Sequence, residues 1–94
     1  MAQTIILEPG NTAAISAPVE VAAGEFVIVG LFRENNDERE SQVLFNVYQE
    51  TPGVSNTIVS LTNSFRAVAL CGPGTYRVSR PAYSGAPLGA FVDQ

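Results

Sequence analysis

The chain has 94 residues, 46% of them apolar, and a formal net charge of −4, which bounds it to one domain near the lower end of the size that folds without staples. It contains no histidine, tryptophan or lysine and a single cysteine. Those absences exclude Ser-His-Asp and Cys-His catalysis, ordinary zinc or iron sites, Schiff-base chemistry, a P-loop lysine and an intramolecular disulfide.

Apolar residues recur with a period of two, and no stretch longer than a few residues keeps a helical period, so strands are expected throughout. Thr4 to Glu8 reads as a first strand. From Thr12 to Val21, Ala13, Ile15, Ala17, Val19 and Val21 alternate with more polar neighbours, giving a strand with one wet face. Pro18 cannot donate to a ladder, so this strand belongs at a sheet edge or carries a bulge.

Glu25 to Arg33 is apolar on both faces, with Phe26, Ile28 and Phe32 on one and Val27, Val29 and Leu31 on the other. Such a strand sits inside a sandwich, or its outer face meets another subunit. The row Val27, Val29 and Leu31 is taken as that outer, partner-contacting face. ENNDERE then reads as the tip of a hairpin joining this strand to Ser41–Glu50, where Val43, Phe45 and Val47 point inward. TPGVSN turns the chain again. Thr57 to Leu61 and Phe65 to Cys71 follow, with a bend at Thr62-Asn63-Ser64.

After Gly72-Pro73-Gly74, Tyr76 and Val78 alternate with Thr75, Arg77 and Ser79. The end, PAYSGAPLGAFVDQ, is uncharged before Asp93 and reads as a closing strand near Leu88 to Val92 or as a tail that orders on a neighbour. The expected fold is all-β: an antiparallel β-sandwich or small β-barrel of about seven or eight short strands, Greek-key or immunoglobulin-like, in one domain over residues 1–94 with 81–94 as the tail or closing strand.

Each chemical feature has a plainer alternative. Gly72-Pro73-Gly74 resembles a phosphate cradle, yet Pro73 has no N–H to offer and no GK[ST] ending follows, so a structural turn is expected. Tyr76 is placed like a corner tyrosine whose hydroxyl bonds back to the backbone. Cys71, with no histidine to activate it, is expected in the core. Glu34 to Glu40 is rich in side-chain oxygens but lacks the spacing and glycine of a calcium loop, leaving a solvated tip. Nothing pairs any two of Glu8, Glu20, Glu25 and Glu50 as glycosidase carboxylates. Tyr48 and Tyr83 are the exposed aromatics on which a carbohydrate-binding module would stack sugars, a reading that the absence of tryptophan weakens.

No catalytic, cofactor or metal residue is therefore assigned. The five arginines, Arg33, Arg39, Arg66, Arg77 and Arg80, are scattered through an acidic chain, so no nucleic-acid surface is expected. No run approaches a membrane span, and MAQTIILEPG lacks the basic and apolar regions of a secretion signal, so synthesis in the cytoplasm and no membrane contact are expected.

The acidic tip, the two-sided apolar strand, the GPGTYRVSRP corner and the tail ending in GAFVD together resemble small virion accessory proteins of tailed bacteriophages, most of all head decoration, or cement, proteins. The resemblance implies a non-enzymatic protein on the capsid surface of the virion, bound to phage coat protein and forming a dimer or trimer. A tail, baseplate or neck component is the neighbouring reading. On this resemblance Val27, Val29, Leu31, Tyr83, Leu88 and Phe91 are the expected partner contacts, and Gly72, Pro73, Gly74 and Tyr76 the structural turn.

Overall fold

The computed structural model describes residues 3–33, 44–52, 55–62 and 64–94. Along the chain run β1 (Gln3–Gly10), β2 (Ala14–Ile15), β3 (Val19–Val21), β4 (Phe26–Arg33), β5 (Phe45–Glu50), β6 (Ser55–Leu61), β7 (Ala67–Cys71), β8 (Gly74–Arg80) and β9 (Leu88–Asp93), with no helix among the described residues. Sheet I has the order β1-β9-β4-β7. Sheet II has the order β2-β8-β5-β6, with β3 also pairing β8. All pairings are antiparallel. The sandwich expected from the period of two is the fold found.

The core lies between the sheets. Sheet I contributes Leu7, Val27, Val29, Leu31, Leu70, Leu88, Ala90 and Val92, and sheet II contributes Val19, Val21, Phe45, Val47, Leu61, Tyr76 and Val78. Each fully buried valine, leucine or phenylalanine stabilises the fold by roughly 1.5–3 kcal/mol, which makes two interdigitated rows of this kind the main source of stability.

Four sequence expectations change here. First, β4 and β5 lie in different sheets and are not the two arms of one hairpin; residues 34–40, expected as a solvated tip, lie outside the described residues. Second, the strand expected over Thr12 to Val21 breaks. β2 pairs β8 through Ala14↔Arg80 and Ile15↔Ser79, whereas β3 pairs it through Val19↔Tyr76, which inserts one extra residue at the proline. The inserted residue reverses the alternation. Ile15 is therefore 60% exposed, while Ser16 is buried, its hydroxyl accepting the Val78 N–H at 2.9 Å and donating to the Ala17 carbonyl.

Third, Cys71 is exposed and not in the core, because Leu70 takes the inward position on β7 and its neighbour must face out. Fourth, of the two readings of the C-terminal segment, the structure has the closing strand and not the free tail. β9 is an interior strand, paired with β1 on one side and β4 on the other.

The corner before β8 behaves as the sequence suggested. Tyr76 donates its hydroxyl proton to the Cys71 carbonyl at 2.6 Å, and the Gly72–Pro73 peptide is cis. A side chain at Gly72 would place its Cβ 2.0 Å from the Ala22 carbonyl oxygen, so only glycine lets the end of β3 pass this closely.

Two side chains fasten the loop between β8 and β9. Arg80 is 6% exposed. Its guanidinium donates to the carbonyls of Thr12 (2.7 Å), Glu8 (2.7 Å) and Leu88 (3.0 Å). The Tyr83 hydroxyl accepts the Leu88 N–H at 2.9 Å and lies 2.7 Å from the Ala86 carbonyl and 3.1 Å from that of Gly10. Burial raises its pKa above the ordinary tyrosine value, against smaller opposing pulls from Leu88 N–H, Arg80 and Arg33, so it stays a proton donor at neutral pH.

Candidate functional site: the outer face of sheet I

The two outer faces of the sandwich differ in chemistry. On sheet II the outward residues are mostly polar, although Ile15 beside Ser79 and Ile58 on β6 are exposed there as well. Arg77 pairs with Glu50 and also donates to the Ser16 carbonyl, and the Ser60 hydroxyl donates to Asn46 Oδ1 at 3.0 Å. Tyr48, Thr57, Thr75 and Ser79 complete a hydrated surface of the usual antiparallel kind.

Sheet I has no such surface. Its register sets the outward residues in rows across the strands: Gln3, Asp93, Ile28 and Ala69 in one, Ile5, Phe91, Gly30 and Ala67 in the next, then Phe32 beside Gly89, with Phe26 beside Cys71 at the far end. Ile5 is 51% and Phe26 55% exposed. Ile28, Phe32 and Phe91 are half-buried, and Asp93 is the one charge in these rows.

The middle of the face is built by two reciprocal glycine–aromatic pairs. Phe91 lies over Gly30, where an added Cβ would meet its ring at 2.6 Å, and Phe32 lies over Gly89, where the distance would be 2.7 Å. Aromatic cover of a strand glycine restores the packing and the water exclusion that the missing side chain forfeits. The two rings stand 6.4 Å apart between centroids at 58°, within the range of a favourable tilted pair. A shallow depression of about 310 Å³, open to solvent, lies among Gln3, Thr4, Ile5, Phe32 and Phe91. No titratable side chain lines it, so it offers no acid, base or nucleophile.

One polar atom on this face is unmet. Asp93 Oδ1 is buried and has no hydrogen-bond partner among the described residues. A buried acceptor in that state costs roughly 1–3 kcal/mol. Asp93→Val is therefore expected to raise the unfolding free energy by about 1 kcal/mol in urea melts; a decrease would show that the carboxylate is satisfied in the free protein.

The row of β4 expected to face outward lies inside the sandwich. Val27, Val29 and Leu31 are 4%, 1% and 7% exposed and pack between the sheets, and Leu88 is likewise interior. Tyr83 is occupied by its bonds to the chain's own loop. Phe91 does face outward, beside Phe32. The outward apolar residues are instead Ile5, Phe26, Ile28 and Phe32, and the signal in the sequence is Gly30. It falls in the row of Phe26, Ile28 and Phe32, and a core face does not spend its centre on a glycine, whereas the Val27, Val29, Leu31 row is unbroken. Gly72, Pro73, Gly74 and Tyr76 form the turn already described.

Among the described residues no group of three or more acidic, histidine or cysteine side chains is placed to hold a metal ion, and no helix is long and apolar enough to cross a membrane. Comparison with protein-family models, with curated proteins and with solved structures finds no match to this chain.

Proposed function

We propose that this chain is a structural protein that acts by association and not by catalysis, docking the outer face of sheet I on another protein. The observation that carries this reading is the contrast between the outer face of sheet II, where Ile15 and Ile58 stand among polar residues, and the contiguous apolar rows of sheet I, Ile5, Phe91, Phe32, Ile28 and Phe26. Monomeric soluble proteins rarely leave a contiguous apolar surface of more than a few hundred Å² facing water. The sheet plane that carries these rows, four strands wide at ~4.8 Å and some six residues long at ~3.3 Å, spans roughly 400 Å² with Gln3 and Asp93 included, the scale of the largest patch on a typical monomer, which is often a binding surface. Asp93, unmet among the described residues, is suited to a donor on the partner.

The partner follows from the resemblance to phage head decoration proteins: coat subunits of a capsid shell, with the virion as the location. Mass action then explains how a thin two-layer core suffices, since binding adds to the stability of the folded form. The tail or baseplate alternative uses the same face on a different lattice. The sugar-stacking alternative loses Tyr83 to its internal bonds and rests on Tyr48 alone.

Cosedimentation with shells assembled from the coat protein of the same genome tests the proposal. Phe26→Asp and Ile5→Asp, both at exposed positions that the fold tolerates, are each expected to weaken shell binding at least about tenfold, because a carboxylate is then desolvated against apolar surface. Tyr48→Ala is expected to leave it unchanged. Shell binding that survives both aspartates, or no shell binding by the wild-type chain, overturns the reading.

A further inference from the structure

We propose that β7 is a self-association edge: two copies pair antiparallel along Ala67–Cys71 about a two-fold axis at Ala69, fusing their sheets I into one continuous sheet. The inference stands on the edge of β7 and is independent of what the outer face binds.

The backbone geometry identifies the open groups. Gly72 N–H donates to the Glu25 carbonyl at 2.9 Å and Leu31 N–H to the Arg66 carbonyl at 2.8 Å. Between these bonds the ladder runs regularly from Phe26↔Cys71 to Gly30↔Ala67. Arg66, Val68, Leu70 and Gly72 therefore aim their peptide groups at β4, and Ala67, Ala69 and Cys71 aim theirs away from it. The Cys71 carbonyl is taken by the Tyr76 hydroxyl. Both groups of Ala67 and Ala69, and the Cys71 N–H, face an edge against which no described strand lies.

The other edges are guarded and this one is not. β1 carries Glu8, Pro9 and two register shifts. The β2–β3 edge is broken at Pro18. The β6 ladder shifts register beside Tyr48. β7, Ala-Val-Ala-Leu-Cys, has no charge, no proline and no irregularity against β4, and such an edge templates another strand.

Its sequence is also complementary to itself. About Ala69 the antiparallel pairing sets Ala67 against Cys71 of the second copy and Ala69 against Ala69, small residues that do not collide on the outer face. On the inner face Val68 meets Leu70 of the second copy, covering the half-buried Val68. Joining two sheets doubles the outer sheet plane from roughly 400 to roughly 800 Å², the area per partner of a standard stable interface. One copy alone falls short of it.

Sedimentation of the purified chain, with no coat protein present, is the test. The wild type is expected to be a dimer at concentrations on the order of 100 µM, where moderate affinity suffices. Ala69→Pro removes an outward N–H that the fold does not use, so thermal melting is retained while the dimer weakens at least about tenfold. Ala69→Lys and Ala69→Glu are each expected to be monomeric and to form a mixed dimer when combined, since the two positions face each other across the axis. Ala67→Cys is expected to give a covalent dimer with Cys71 on mild oxidation, and the double variant with Cys71→Ser to give none. A monomeric wild type, a dimer indifferent to Ala69→Pro, or lysine and glutamate variants that fail to combine overturns the proposal.

Discussion

A chain ending at Arg80 is expected not to fold: its circular dichroism should lack the strand signal, and heating should give no cooperative transition. β9 lies between β1 and β4, and its loss leaves β1 without a partner strand among the described residues and opens one side of β4. The same cut removes Leu88, Ala90 and Val92, all 4% exposed or less, from the centre of sheet I. Leu88 and Val92 alone stabilise the fold by roughly 3–6 kcal/mol, before any ladder hydrogen bond is counted. A domain of this length has a total stability of only about 5–14 kcal/mol. Supplying residues 81–94 as a separate peptide is expected to restore the melt. A truncated chain that unfolds cooperatively on its own would show that β9 is dispensable and would return the segment to the role of a tail.

That outcome bears on what can be read from a sequence of this kind. The period of two makes strands certain to be found and places Phe45, Val47, Val78 and Tyr76 inward, because one wet and one dry face leave a pattern that no partner strand can alter. Strand pairing leaves no such mark. β4 and β5 flank a charged segment as a hairpin would, yet each finds its neighbours far away in sequence, β4 with β7 and β9, β5 with β8. For the same reason the Gly- and Pro-rich end looked like a tail: its six-residue strand is specified by the row Leu88, Ala90, Val92 meeting two other strands, and by itself it has no polar face to show.

The choice between the two faces of β4 was legible only through Gly30. Both rows are apolar, so hydropathy cannot rank them. Gly30 and Gly89 become meaningful once each is seen beneath a phenylalanine from the neighbouring strand, a relation that depends on the β4–β9 register. The phase of the second strand shows the same limit. Pro18 announced an edge or a bulge, and the bulge it marks is what turns Ile15 outward and Ser16 inward.

The sequence presents Arg80 only as one of five scattered arginines, yet replacing it should have a large effect on stability: Arg80→Leu is expected to cost about 3–5 kcal/mol. Among the described residues no carboxylate pairs with this buried guanidinium, so its burial opposes folding, and leucine removes that opposition. Against this, the carbonyls of Glu8, Thr12 and Leu88 each lose a charge-assisted donor and have no replacement, at roughly 1–3 kcal/mol apiece. The losses outnumber the relief. Two of the three carbonyls, those of Glu8 and Leu88, belong to sheet I, while Arg80 belongs to sheet II, so the side chain pins one layer to the other at the end of the sandwich farthest from the Tyr76 corner. Lysine, with one ammonium in place of a planar fork, is expected to recover less than half of the loss. Arg77→Leu, on the same strand but on the wet face with its partner Glu50, is expected to change stability by less than about 1 kcal/mol. Urea melts of the three variants separate the cases: equal, small losses for Arg77→Leu and Arg80→Leu would mean that the buried guanidinium contributes no more than a surface charge, and that the sheets are held by their apolar rows alone.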